Sequence, residues 1–579
     1  MFKRIVMVGC LVILLAQATF QVVMAQTDSQ TTDEAVHVLA GYTYLTKRDY
    51  RLNPEHPPLV KTLAALPLLA IKPNLPADFE QKWQDSENFF YDSWRENRYL
   101  GEKFFYASGN DADLMILLSR LPMILLTLLL GLAIFLIVWR HFGAIAALAA
   151  TGFYVLDPLV AGHGHLVTTD IAFGLGTLLT TYAGWRFFGS PNWKNALWLG
   201  LALGLALLTK HTAVILGMML LITAVWIVAT NKQAWQQILR GTGIVLLTVW
   251  IIIWAGHGFH ARSAPPSKSV SQSIQTQNAP DPTKNFEGTS LVDQEQFQLT
   301  DEELAATSQE ISTFDKHYPT LQPLFKALPG DYAKGLLLLI GHAAGGHDSF
   351  LLGQTSNTGW WYYFPLLLAL KLPLVTVAAL LGLLYALIRL RPKNSFVATA
   401  MIFAGFFMLS AMSSKANIGL RHVLPVLPLV MVGFGWLTTA GKHTKEILLI
   451  GLVILAATFT LAYPRYLGYF NELAGASDKN YTIATDSNLD WGQDLKRIRS
   501  YIDKNKLMRP FVEYGWLGSD ALGYYLGDNY RLLSEATPVA GETLIIGATA
   551  IHRPDYANLL SDCDGFKPIT NGAFICQIQ

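Results

Sequence analysis

The chain alternates long apolar stretches with short polar turns, and three polar stretches are too long to be turns. A helix of about 20 apolar residues crosses the hydrocarbon core of a bilayer. Apolar segments of roughly that kind cover residues 5–23, 114–139, 196–208, 212–229, 238–255, 360–387, 396–412, 423–437 and 447–461. Two more flank the turn at 162–169, the second ending at Arg186. The pattern predicts a membrane α-helical protein with about 11 transmembrane helices. The weakest pair meets at Lys210-His211, where the first member is barely long enough to cross.

Charge sets the expected orientation. When the spans alternate, Lys3, Arg4, Arg140, Arg186, Lys194, Lys232, Arg240, Arg389, Arg391, Lys393, Lys442 and Lys445 share one side. Cytoplasmic loops carry such an excess. The N-terminus then lies inside a plasma (cell inner) membrane, and the long polar stretches and the C-terminal tail lie outside. Val23-Met24-Ala25 before Gln26 has the form of a signal-peptidase site; the first span is read here as retained, because the loop after it needs an anchor.

The polar stretches differ in character. Residues 26–113 carry Phe89-Phe90-Tyr91 and Trp94, which suit helices lying in the interface. Residues 263–283 are rich in Ser, Gln, Thr and Pro and read as flexible. The glycine- and histidine-rich run at 341–348 reads as a short re-entrant or surface helix. In the last stretch, Phe511-Val512-Glu513-Tyr514, Thr543-Leu544-Ile545-Ile546 and Ala573-Phe574-Ile575 read as strands, and 490–504 as a helix. Together they predict a small α/β domain of roughly 100 residues. The expected division is a membrane domain over 1–463, with outer loops at 26–113 and 257–359, and an extracytoplasmic domain over 464–579.

Composition narrows the classes. Only 15% of the 579 residues are charged and 52% are hydrophobic, against about 25% charged in soluble proteins. A net charge of +1 argues against a nucleic-acid partner. Cys563 and Cys576 fall in the outer tail, where the compartment permits a disulfide; a bridge and two free thiols are both open.

The chemistry gathers at the outer ends of the spans. The first loop holds Asp33, Glu34 and His37, then Leu52-Asn53-Pro54-Glu55-His56-Pro57-Pro58-Leu59-Val60-Lys61. Later loops add Arg120, His163, His165, Asp170, Lys210, His211, Lys415, Arg421 and His422. Ionisable groups at membrane depth cost about 2.5–3.5 kcal/mol each, so their concentration points to function. Arginine holds a phosphodiester with a rigid fork. Cations placed in advance stabilise a leaving phosphate as its charge grows, and a carboxylate takes the proton of an acceptor hydroxyl. These parts suit glycosyl transfer from a lipid-linked phosphate. Plainer readings stand beside them. Asp33-Glu34 also fits a helix N-terminus, His56-Pro57-Pro58 a rigid turn, and Arg120, Lys210 and Arg421 snorkelling anchors. Trp360 to Phe364 fits an aromatic belt, and Asp490 to Asp494 a helix cap.

The Asp-Glu pair followed by His56-Pro57-Pro58-Leu59-Val60-Lys61 resembles the protein O-mannosyltransferase family (glycosyltransferase family 39, with the GT-C fold), including its bacterial carrier-lipid-dependent members. Thr168-Thr169-Asp170, Leu208-Thr209-Lys210, Trp360-Trp361-Tyr362-Tyr363-Phe364-Pro365 and Asp486-Ser487-Asn488-Leu489-Asp490-Trp491-Gly492-Gln493-Asp494-Leu495 share the likeness. The resemblance implies a polytopic GT-C-type bundle that moves a sugar, with inversion, from a polyprenyl-phosphate donor to a lipid, glycan or protein acceptor. It makes Asp33 the general base, Glu34 its support or a metal ligand, and Asp170 a second candidate acid in the centre. His56, Lys61, Arg120, Lys210 and Arg421 would bind the donor phosphate, and Glu55 with His56 an optional divalent metal. Two departures matter. The bacterial lipid A aminoarabinose transferases, more distant relatives, have Lys where this chain has His56, so a phosphate contact there depends on protonation. The eukaryotic members carry a β-trefoil insertion for which the loop at 256–334 is too short, which counts against a protein acceptor. The rival readings are a transporter or flippase, which would show internal repeats that this chain lacks, and a non-catalytic assembly protein with a transferase-like fold.

Overall fold

The computed structural model describes residues 2–84, 94–230, 235–260 and 326–579. Phe89-Phe90-Tyr91, Lys232 and the run at 263–283 lie outside the described residues, and so does the side chain of Trp94.

Inside hydrocarbon the backbone must satisfy its own polar groups, and a helix does so within one segment. Among the described residues seven helices are long and apolar enough to cross a membrane: Lys3–Thr27, Ala112–Phe142, His211–Thr230, Trp235–Gly256, Ser395–Met412, Leu420–Ala440 and Thr444–Ala462. Shorter apolar helices cover Ala144–Val155, Trp193–Thr209 and Leu374–Leu390, and a further helix covers Asp170–Gly189. Proline explains where the chain departs from the periodic reading. The segment expected as one span over 360–387 is two helices, Tyr363–Lys371 and Leu374–Leu390. Pro373 lacks an N–H and pushes Leu372 to an extended conformation, with ψ 144°. Likewise Asp157-Pro158 starts a new short helix, Pro158–His163, which the Asp157 carboxylate caps by accepting from Leu159 N at 2.9 Å.

Two compact units are assembled from separated stretches. The first takes residues 1–25, 120–256 and 346–488; the second takes 26–119, 257–345 and 489–579. In the first unit, small residues let helices approach closely. A Cβ on Gly200 would stand 2.6 Å from the Thr248 Cβ, and one on Gly204 would stand 2.9 Å from the Ile252 Cβ. The pair, four residues apart, seats Trp193–Thr209 against Trp235–Gly256 in the manner of a membrane GxxxG face. This unit also holds a hairpin of β1 (Ser349–Leu351) and β2 (Gln354–Ser356).

The second unit contains a four-stranded sheet of β3 (Phe511–Glu513), β4 (Thr543–Gly547), β5 (Lys567–Pro568) and β6 (Ala573–Gln577), in the order β3-β4-β6-β5. β3 and β4 are parallel; β6 runs antiparallel to both its neighbours. The helix expected over 490–504 forms at Leu495–Asn505, and its Leu495, Ile498 and Ile502 are buried at helical spacing with Val512, Leu522, Leu526 and Ile545. Cys563 and Cys576 are disulfide-bonded, their Cα atoms 5.6 Å apart. The helix placed at 341–348 by sequence begins earlier, at Gly330–Gly345.

The first loop is built into this second unit. Thr32 N donates to Trp491 O at 2.9 Å, and Ser29 N to Gln493 O at 3.0 Å. Ser29 Oγ donates to Gly492 O at 2.7 Å, and Thr32 Oγ1 to Gly515 O at 2.7 Å. Gly492 has φ 102°, and a Cβ there would lie 2.8 Å from Gln30 O, so only glycine fits this junction. Two motifs some 460 residues apart in the chain thus meet as backbone ladders.

Candidate active site

The second unit carries the acids and basic groups of the first loop. Thr32–Lys47 is a helix, and Asp33 and Glu34 stand in its first turn, where the helix dipole favours negative charge. Glu34 is fully buried and folds back so that its Oε2 accepts from Thr31 N at 2.8 Å, which gives it a capping role. Asp33 is half-buried. One turn on, the buried His37 ring meets the His56 ring edge-on, centroids 5.2 Å apart. Lys61 is fully buried in the helix Pro58–Ala65. Its Nζ donates to Tyr44 OH at 2.7 Å, to Asn53 O at 2.5 Å and to Asn53 Oδ1 at 3.3 Å. Three protein acceptors therefore match its three donors. Burial holds the ammonium well below the usual lysine range, and the charges of Glu55 and Asp331 pull the other way. Gly41 makes this contact fit, since a Cβ would land on the Lys61 carbonyl. Among the described residues no group of three or more His, Cys, Asp or Glu side chains is placed to hold a metal.

The first unit carries the other cluster. Asp170 opens the helix Asp170–Gly189 and is fully buried. Lys210 sits at the extended break that ends Trp193–Thr209, and its Nζ donates to Asp170 Oδ1 at 2.6 Å. Arg421 comes from the 3-10 segment Leu420–Val426, with Nη1 3.7 Å from Asp170 Oδ2. Ser487 Oγ orients it, accepting from Arg421 Nε at 3.2 Å while donating to Ile418 O at 2.9 Å. A Cβ on Gly419 would collide with that hydroxyl, so the close approach requires glycine. Two cations face one carboxylate, and none of the three side chains is more than 10% exposed. A buried charge is costly without a counter-charge, and Asp170 serves that role for both cations. His163 lies within electrostatic reach of Asp170, Arg421, Lys371 and His165. His165 Nδ1 is 3.1 Å from Gln21 Oε1. Arg120, also fully buried, donates from Nη1 to Ala25 O at 2.8 Å.

Of the sequence candidates, the structure brings together Asp170, Lys210 and Arg421, and separately Asp33 with Glu34. Sequence reading missed Lys371, and it quoted Asn488 within a motif without assigning it a role. Lys371 is buried, donating to Leu467 O at 3.0 Å and to Asn488 O at 2.7 Å. Asn488 Oδ1 accepts from Leu420 N at 3.1 Å, and its Nδ2 donates to Tyr363 OH at 3.0 Å. It thereby knits the Arg421 segment to the Lys371 helix. The signal was present: a lysine inside an apolar run, two residues before a proline, should stand out as an expensive intramembrane charge.

Comparison with known proteins follows the same lines. Residues 115–254, which contain Arg120, Asp170 and Lys210, match the model of the family described as dolichyl-phosphate-mannose-protein mannosyltransferase. No curated protein matches the chain. Among solved structures, ArnT from Cupriavidus metallidurans, bound to undecaprenyl phosphate, matches with a TM-score of 0.48 and 11% identity, covering 98% of each chain. The archaeal oligosaccharyltransferase AglB from Archaeoglobus fulgidus, in complex with an inhibitory peptide and a dolichol-phosphate, matches with a TM-score of 0.44 and 12% identity. That match covers 98% of this chain and 74% of AglB. Residues 115–254 thus resemble the protein mannosyltransferase family, in a chain whose described residues include seven helices long and apolar enough to cross a membrane.

Proposed function

We propose that this protein transfers a sugar from a polyprenyl-phosphate donor to an acceptor hydroxyl or amine at the extracytoplasmic face, inverting the anomeric centre. The observation that carries the reading is the buried Asp170–Lys210–Arg421 cluster, in which one carboxylate holds two cations, two of its members lying in the family-matching stretch. In this reading Lys210 and Arg421 hold the donor phosphate, and Asp170 fixes both cations so that they need no reorganisation as the sugar–phosphate bond breaks. Negative charge then builds on the departing phosphate, where two cations fixed in advance count most. His56, Lys61 and Arg120 remain proposed phosphate contacts; the full set of acceptors around Lys61 favours a positioning role for it. Asp33 is the proposed general base, since Glu34 is engaged in capping while Asp33 is half-buried. The Cys563–Cys576 bridge supports an oxidising, outer location for the C-terminal domain.

The test is transfer of radiolabelled sugar from synthetic polyprenyl-phosphate donors by purified protein, with membrane extract as acceptor source. Wild type should label an acceptor, while Asp33→Asn and Lys210→Met should not, with melting temperatures that show intact folds. Equal transfer by Asp33→Asn would move the base elsewhere. Failure of every donor to bind would favour the transporter reading.

A further inference from the structure

The hairpin of β1 and β2 in the first unit has no part in the transfer reading, and its turn carries a residue that neither backbone nor water favours. The register pairs Leu351 with Gln354, which leaves Leu352-Gly353 as a two-residue turn. Both residues have positive φ, 51° and 80°. A turn of this kind matches the twist of the strands and prefers Asn-Gly or Asp-Gly, because a bulky side chain is strained in the left-handed region. Leu352 accepts that strain and is nonetheless 54% exposed. A scattered surface leucine needs no explanation. One exposed where the backbone works against it does.

The hairpin stands at a membrane surface. Ser395–Met412 and Leu420–Ala440 are both long and apolar enough to cross, so the link between them, residues 413–419, lies where the bilayer ends. Asn417 in that link pins the hairpin from both sides. Its N–H donates to Ser349 Oγ at 3.3 Å, at the start of β1, and its Oδ1 accepts from Trp360 N at 2.6 Å, four residues past β2. Directly after Trp360, Trp361 is 67% exposed and Tyr362 36% exposed; Lys415 in the link is exposed as well. Indole and phenol rings gather at the headgroup level of a bilayer, and lysine keeps its ammonium among the headgroups while its stem lies on apolar surface.

Backbone chemistry sets the depth. A two-stranded hairpin has open edges, and hydrocarbon leaves their N–H and C=O groups unsatisfied. The strands therefore stop in the headgroup layer, where the exposed Gln354 and Thr355 of β2 find polar partners. At the turn, Leu352 N donates to Ile483 O at 2.9 Å, so the side chain alone is left to reach further. We propose that this hairpin is a membrane foot, whose Leu352 side chain enters the acyl boundary of the leaflet while Trp361, Tyr362 and Lys415 hold the same segment at headgroup level. Its partner is a lipid surface. The inference does not depend on the transfer reaction.

Spin-label depth measurement tests it, on full-length protein in nanodiscs of phosphatidylcholine and phosphatidylglycerol. Cys10→Ser removes the free thiol, and Cys563 and Cys576 stay bridged. A nitroxide at Leu352→Cys should be more accessible to oxygen than to a water-soluble nickel chelate. A label at Val453→Cys, 72% exposed on Thr444–Ala462, gives the lipid reference. Nickel access above oxygen access at position 352 overturns the proposal. A label could carry itself into lipid, so a second one, at Gln354→Cys, is read with and without Leu352→Asn. Asparagine suits the left-handed turn and should keep or raise the melting temperature, while the Gln354→Cys label should shift towards the nickel chelate. If that label reads the same in both proteins, the leucine holds nothing in lipid and the proposal falls.

Discussion

At the scale of single residues, one buried carboxylate holds two cations, and its removal has a definite expected consequence. Asp170→Asn removes the carboxylate that Lys210 and Arg421 share, which should destabilise the first unit by about 3–5 kcal/mol and show as a lowered melting temperature in detergent. Lys210→Met instead preserves the Asp170–Arg421 pair; it should keep the fold and lower the transfer rate by roughly 10²–10³-fold, read in the radiolabel assay. Lys61 gives a prediction about pH. The folded protein holds this proton less tightly than an unfolded lysine does, so the unfolded chain binds more protons. Stability then rises with pH up to the ordinary lysine value of about 10.4 and is flat above it. Melting curves recorded from neutral to alkaline pH should show that slope in wild type and a shallower one in Lys61→Met; identical slopes would sink the argument. The residues behind these predictions were unequally legible. Asp170, Lys210 and Arg421 announce themselves as charges beside apolar segments, whereas the roles of Glu34 and Lys61 depend on Thr31, Tyr44 and Asn53, and no local pattern states how those side chains pair.

Elements were easier to read than their interruptions. Long apolar runs specify spans because lipid admits few other backbone solutions, and Ser395–Met412 and Thr444–Ala462 fall close to where periodicity placed them. The run over 360–387 misled because apolar residues dominate it, and their count outweighed Pro373 and the lysine two residues before it. Strands β3, β4 and β6 were visible as apolar runs, whereas the two-residue β5 has no pattern long enough to read. Helix packing gives the prediction at this scale. Gly204→Leu should push Trp193–Thr209 off Trp235–Gly256, since its Cβ alone would meet Ile252 at 2.9 Å. The variant should lose thermal stability by more than the same change at Gly217, which meets nothing within 4 Å. Equal losses in a thermal-shift comparison would show that the close approach does not matter.

At the scale of the whole molecule, the chain is woven rather than strung: each compact unit draws on three separated stretches. Sequence order therefore hid the assembly, since Thr32 meets Trp491 through its backbone N–H and hydroxyl, both donating to a backbone carbonyl that carries no sequence signature. The disulfide acts at this scale too. By closing a loop across a separation of 13 residues it should contribute about 3 kcal/mol, so Cys563→Ser/Cys576→Ser should melt earlier than wild type, and unchanged melting would deny the bridge a stabilising role. The ladder between residues 29–32 and 491–493 also has a consequence for biosynthesis. A ribosome releases the Asp33 segment early, yet the strip of backbone that fixes its helix emerges only with the last sixth of the chain. Through most of translation the proposed base has no fixed position, and a nascent or prematurely terminated chain can insert its helices without being able to act on the lipid around it.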